Sequence, residues 1–243
     1  MMRDGLYHTL VGALDLVLWG GKLEGRQNLP PNGPAVFIAN HLDATGPIAC
    51  CCSLPMRVYP WSVGDMMDPV LAADYLNKDF CEKTLHLKPP LGVHISRWLS
   101  KITVPMFHSL GCIPVYKGDY KRMQVTLSTS MGLLRQGKFL LIFPEDPNFD
   151  ADEITGIKHF QHTFARLGEI YYEETGGRLG FFPLAIHPRN IIKVGEPVFY
   201  DPFNKISMER QRIKDLMESE IHRMYLMLGN YQVESIALTL ERK

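Results

Sequence analysis

The stretch "VFIANHLDATGPIA", Val36 to Ala49, decides how the rest of the chain is to be parsed. Extended back by one residue, "AVFIAN" (Ala35 to Asn40) is short, rich in β-branched and aromatic residues, and flanked by turn formers. That pattern reads as a buried strand. His41 follows at once, Asp43 stands two residues later, and Gly46-Pro47 breaks the chain before an apolar run to Leu54 that suits a short buried helix. A histidine set directly after a rigid strand can be held facing a cleft, as a general base must be. Asp43 is either the carboxylate that fixes its tautomer or the cap of the next helix, and both fit the spacing.

Further along, similar short apolar runs alternate with helical patterns. "MRVYPWSV" predicts a strand, short or at an edge because of Pro60. From Asp68 to Leu110 the chain reads as helical, with an apolar stripe through Val93, Trp98, Leu99, Ile102 and Phe107, and with Pro105 expected to kink or end it. "CIPVY" (Cys112 to Tyr116) predicts a strand. "YKRMQVTLSTSMGLLRQG" predicts a helix stopped at Gly137, and "FLLIFPE" a further buried strand. "IKHFQHTFARLGEIYYEETG" predicts a helix, "LGFFPLAIHP" a strand, and "IKVGEPVFY" an edge-like strand containing Pro197. From Ile206 onward a charged amphipathic helix and tail are expected.

Strands alternating with helices specify an α/β fold: a mixed, largely parallel sheet flanked by helices, preceded by an N-terminal amphipathic helix. The expected organisation is 1–24 for that helix, 25–205 for the α/β domain, and 206–243 for a C-terminal helix belonging to the same unit. No repeat, linker or low-complexity tract interrupts the 243 residues, which are 46% apolar. In such sheets chemistry gathers on the loops leaving the strand ends, where "NHLDATG", "YKGDYKR" and "FPEDPNF" all fall.

Composition removes several classes of function. Lys plus Arg and Asp plus Glu both number 26, so no basic excess argues for nucleic acid as a partner. Five cysteines, three of them adjacent at positions 50–52, fit neither a disulfide framework nor a spaced metal set; they read as small core residues in a reducing compartment. Walker, Rossmann, GxSxG and HExxH signatures are missing from the sequence, and His159 and His162 have no third ligand spaced to join them, so neither a metal nor a resident cofactor is expected. The first 25 residues read as neither a signal peptide nor a spanning helix, since Asp4, His8 and Asp15 interrupt them. Leu6, Leu10, Leu14, Val17 and Leu18 do recur at helical spacing, which suits a membrane surface or a core.

Other side chains near the strand ends suggest substrate contacts. Glu145 closes "FLLIFPE" and is displayed by a strand before the Asp146-Pro147 turn. Lys117, Lys121 and Arg122 cluster after "CIPVY", either as donors for a phosphate-bearing substrate or as an exposed basic turn.

In order, "GRQNLPPNGPAVFIANH", "LGCIPVYKGD", "LIFPED" and "GFFPLAIHP" resemble the four sequence blocks of the glycerolipid acyltransferase family, typified by lysophosphatidate acyltransferases, from about Gly25 to about Pro197. The resemblance implies transfer of an acyl group from a thioester on coenzyme A or acyl carrier protein to a hydroxyl of a glycerol phosphate or lysophospholipid. It implies His41 as the general base, Lys117 and Arg122 as acceptor-phosphate contacts, and Glu145, shaped by Phe143 and Pro144, as a ligand for acceptor oxygens. It also implies a peripheral location on the cytoplasmic face of a membrane, where a long-chain acceptor resides. The family's motif is Asn-His, four residues, Asp; here the last position is Gly46, so Asp43, or a remote carboxylate such as Asp65 or Asp68, is left to orient His41. A catalytically silent, lipid-binding or partner-binding member of the same fold is the alternative, and a hydrolase using His41 and water is a third.

Overall fold

The computed structural model describes residues 5, 7, 9, 11, 12, 15, 19–42, 45–82, 85–116 and 118–240, the side chains of 79 and 230–240 excepted. Eight strands and six helices are used below. In chain order they are β1 Lys22–Glu24, β2 Ala35–Ala39, α1 Thr45–Ser53, β3 Val58–Val63, α2 Ala72–Leu76, α3 Leu91–Leu110 and β4 Ile113–Val115. There follow α4 Tyr120–Leu134, β5 Phe139–Ile142, α5 Arg166–Thr175, β6 Gly180–His187, β7 Ile191–Val194, β8 Val198–Phe199 and α6 Ile206–Leu240.

These elements fall into two compact units. One comprises 8–58 and 131–243; the other comprises 1–7 and 59–130, so most of it is an insertion between β2 and β5. The sequence, which reads as one α/β domain over 25–205, carries no linker composition at 58 or at 130. The second crossing falls inside α4, whose helical pattern runs through it uninterrupted.

In the first unit the sheet order is β1-β7-β6-β2-β5, with β8 paired on β6. β2 lies between β5 and β6 and is parallel to both, whereas β7 and β8 run antiparallel to β6. All five residues of β2 and all eight of β6 are buried, as the unbroken apolar runs require for central strands covered on both faces. Phe37 packs its ring 5.6 Å from Phe182 and 6.2 Å from Phe139, joining the three central strands on one face. Truncating such a ring to alanine typically costs about 3–5 kcal/mol. α6 packs against β6 with Ile213, Met217, Ile221, Met224 and Leu228 fully or almost fully buried, the 3–4 spacing of a single helical stripe.

The inserted unit has β3 and β4 as a parallel pair, with Trp61 opposite Ile113. Gly64 meets the Tyr116 ring so closely that a Cβ there would stand 2.2 Å from it, which leaves room for glycine alone. α3 continues through Pro105 to Leu110, where Gly111 at φ 82° ends it. Pro105, expected to kink or end the helix, does not end it, and sits on its exposed side.

Three other expectations change. "GKLEG", for which no strand is expected, supplies β1, which pairs in parallel with β7. "IKVGEPVFY" is two strands broken at Gly195–Pro197, and β7 lies between β6 and β1 rather than at an edge. The helix expected from Ile157 begins only at Thr163, in a 3-10 turn leading into α5, because Lys158 and Phe160 are drawn into β-bridges with Ala151 and Glu145. The apolar stripe of the N-terminal helix lies outside the described residues at Leu6, Leu10, Leu14, Val17 and Leu18. Val11 and Trp19 are described and buried, and the Trp19 indole N–H donates to Ser53 Oγ at 2.8 Å.

Candidate active site

Because β2 is parallel to β5 and β6, the C-terminal ends of the three strands share one edge of the sheet. Asn40 stands one residue past β2 and is buried. Its amide donates to the Ile186 carbonyl at 3.0 Å, and its oxygen accepts the Ile186 N–H at 2.7 Å. The side chain thus replaces two ladder bonds that the backbone gives up as it turns away, leaving no buried Ile186 group unsatisfied. This device anchors the start of the His41 turn.

His41 is exposed, and its ring meets Phe143 edge-on with centroids 5.2 Å apart and planes at 62°. Its backbone N–H donates to Glu145 Oε1. Glu145 Oε2 accepts the Lys158 N–H at 3.0 Å, and its backbone bridges to Phe160. Two further bonds flank this carboxylate: Gln161 N–H donates to Pro144 O at 2.8 Å, and Asp146 N–H donates to His159 O at 2.8 Å. Glu145 therefore clamps the turn after β2 to the hairpin after β5. Sequence suggested an outward-facing carboxylate; in the structure both oxygens take backbone N–H groups.

After Leu42 the chain enters α1, with Thr45 Oγ1 donating to the Leu42 carbonyl at 2.7 Å and the Thr45 and Gly46 N–H groups bonded to the same oxygen. Asp43, the nearest candidate partner of His41, lies outside the described residues. Gly46 is buried; a Cβ there would stand 3.6 Å from both Phe143 and Ile186 and 3.7 Å from Leu42. The position where the family motif places its carboxylate thus has space for a side chain, in apolar surroundings. Asp68 holds a turn in the inserted unit ahead of α2, accepting the Val70 and Leu71 N–H groups at 2.8 and 3.2 Å.

Arg122 also belongs to the inserted unit. Asp119 accepts its backbone N–H at 3.0 Å at the start of α4, and pairs with its guanidinium at 3.4 Å. The guanidinium lies 4.5 Å from the centroid of the Tyr116 ring, so this first-turn arginine of α4 is held by a ring and a carboxylate while staying more than half exposed. Lys117, its expected companion, lies outside the described residues.

The cysteine run faces inward on α1. Burial, then the neighbouring Cys51 and Cys52, pushes the Cys50 thiol well up; burial, then Cys51 and Asp15, pushes Cys52 up to about 12. Such thiols stay protonated and are not nucleophiles at neutral pH. Among the described residues no group of three His, Cys, Asp or Glu side chains could hold a metal ion. His159 pairs with Glu218 at 2.7 Å.

Two residues at this sheet edge escaped the sequence. Asn40 carried no assigned role, although an amide side chain directly after a fully apolar strand is a signal for such an anchor. His187, the last residue of β6, is buried with its ring 4.7 Å from Tyr225. Burial, then Arg189, holds it below the ordinary histidine range, so it is neutral near pH 7.

No protein-family model and no curated protein sequence matches this chain. Among solved structures it is similar to the crystal structure of the 1-acyl-sn-glycerophosphate (LPA) acyltransferase, PlsC, from Thermotoga maritima, at 12% identity and a TM-score of 0.49, covering 90% of this chain and 78% of that one.

Proposed function

We propose that this chain is an acyltransferase that moves a fatty acyl group from a thioester, on coenzyme A or acyl carrier protein, to a hydroxyl of a glycerol phosphate or lysophospholipid, working peripherally on the cytoplasmic face of a membrane. One observation carries the reading: three of the four blocks that resemble glycerolipid acyltransferases are hydrogen-bonded together around the end of β2. Asn40 of the first block holds Ile186 of the fourth, and Glu145 of the third holds the N–H of His41.

In this mechanism the exposed imidazole of His41 accepts the proton of the acceptor hydroxyl. The oxygen attacks the thioester carbonyl, and collapse of the tetrahedral intermediate expels the thiolate, which takes up the proton from the imidazolium. Glu145 acts by fixing the backbone from which the ring projects, and Phe143 limits the ring's orientation. Lys117 and Arg122 are the proposed contacts to acceptor phosphate.

The test is thiol release by purified protein with a panel of lysophospholipids and glycerol phosphate. Release that requires an acceptor and is lost in His41→Ala supports the proposal; release without acceptor indicates a thioesterase, and no release with any pair refutes it. A second reading, a silent lipid-binding member, draws on Gly46, which leaves an apolar niche without the carboxylate that the family motif carries there. Lipid co-sedimentation without turnover, and activity gained in Gly46→Asp, would favour it.

A further inference from the structure

Helix α3 buries a stripe of mostly small side chains and leaves four large apolar ones exposed. The buried positions recur every four residues as Gly92, Ser96, Ser100 and Val104. The two serine hydroxyls donate within the helix, to Val93 O at 3.1 Å and Arg97 O at 3.0 Å, so the neighbours that cover this face meet small side chains whose polar atoms are already satisfied. Gly92 lies close to Asn77, Leu87 and Cys81, which is why this face has to be small. Roughly opposite, on one stripe of the 3.6-residue repeat, stand Leu91, Trp98, Ile102 and Met106, exposed by 55%, 64%, 48% and 38%.

Single exposed apolar residues are ordinary in any protein, but a contiguous stripe containing a tryptophan marks a surface built to meet something. Charge identifies the partner. The 20 residues of α3 contain no Asp or Glu; Arg97, Lys101, His94 and His108 line one side of the apolar stripe, and all four are exposed. The acids of the preceding segment, Asp65, Asp68, Asp74, Asp79 and Glu82, all lie outside the helix. An apolar stripe beside a purely cationic margin matches the acyl boundary and anionic headgroups of a phospholipid surface, with the helix lying in the plane of the interface. No described helix is long and apolar enough to cross a membrane. The described N-terminal residues Val11 and Trp19 are already buried, so they are not available for such a contact.

We infer that the outer face of α3, through Leu91, Trp98, Ile102 and Met106 with Arg97 and Lys101 beside them, is a docking surface for an anionic phospholipid bilayer. This deepens the proposed acyl transfer and rests on it for the biological sense of the contact, while its test is independent of turnover.

The full chain is mixed with phosphatidylcholine vesicles with or without phosphatidylglycerol, and sedimentation and tryptophan emission are followed. The native protein binds the phosphatidylglycerol vesicles more tightly, with a blue shift that salt suppresses. The double variant Trp98→Glu/Ile102→Glu and the charge reversal Arg97→Glu/Lys101→Glu each weaken binding by about tenfold or more with unchanged circular dichroism. Trp98→Phe retains binding but loses the blue shift, which assigns the signal to this face rather than to Trp19 or Trp61. No binding by native protein, equal binding by the double variant, or a concentration-dependent dimer abolished by Trp98→Glu in protein that ignores lipid overturns the inference. Turnover of a short-chain, water-soluble acceptor is scored separately: its absence with vesicle binding intact refutes the acyl-transfer proposal and leaves the docking surface supported.

Discussion

Replacing Asn40 by aspartate changes one atom of the side chain and reverses one of its two hydrogen bonds. The acceptor half survives, since a carboxylate oxygen still takes the Ile186 N–H now held at 2.7 Å. The donor half becomes a carboxylate oxygen facing the Ile186 carbonyl, whose partner now stands at 3.0 Å. A lost buried hydrogen bond is worth about 1 kcal/mol and an orphaned buried carbonyl about 1–3 kcal/mol more, so Asn40→Asp should cost about 2–4 kcal/mol at neutral pH. Protonation reverses most of that loss, because a carboxylic acid can donate to Ile186 O as the amide did. Burial and the facing carbonyl both raise the new carboxyl's folded-state pKa above its unfolded value of about 3.9, by about 1.5–3 units if the full cost is electrostatic. With the folded state binding the extra proton, the variant's stability falls as pH rises: the deficit is small below about pH 4 and complete above about pH 7. Urea denaturation of native and variant protein in parallel at about pH 4.5 and pH 7.5 measures it. A deficit under about 0.5 kcal/mol at the higher pH, or one equal at both, would refute the anchoring role of Asn40.

Two further outcomes concern stability. Gly46→Ala should stabilise the protein by about 0.5 kcal/mol in a thermal melt, because Gly46 is helical and its Cβ would find ordinary contacts at 3.6–3.7 Å; a lowered midpoint would show that the niche is tighter than these distances imply. Glu209 is fully buried; burial alone raises its carboxyl, but hydrogen bonds from Arg212, Asn204 and the Asp201 N–H outweigh that and hold it below the usual glutamate value of 4.5. A depressed folded-state pKa means stability that is present above pH 4.5 and is lost as pH falls through the folded value. Glu209→Gln should therefore cost about 3 kcal/mol at neutral pH and flatten the acid limb of the stability curve; an unchanged limb would place the acid sensitivity elsewhere.

Much of the first unit was legible because its central strands are so uniformly apolar. "AVFIA" and "GFFPLAIH" have no alternation, and their shortness, turn-forming flanks and aromatic content select a strand covered on both faces. Gly137 after Arg135 likewise marked a helix stop that the backbone confirms at φ 70°. "GKLEG" stayed hidden because a three-residue strand has too little pattern to register. The helix after Ile157 was overextended because Glu145 and Ala151, distant in sequence from Phe160 and only somewhat nearer to Lys158, draw those two residues into β-bridges. No local propensity records such a competitor.

The chain's own order of residues determined the class of fold, the placement of His41 and Glu145 at strand ends, and the inward packing of the cysteines, since each follows from short-range pattern or from the preference of apolar surface for the interior. Tertiary structure decided the rest. It alone set Asn40 on Ile186 and Glu145 on the N–H of His41, bonds that span 146 and 104 residues. It also divided the chain at 58 and 130, and turned the large side of α3 outward. Periodicity shows that a helix has an apolar face; only the neighbours packed against Gly92, Ser96 and Ser100 decide that this face is the one left to solvent.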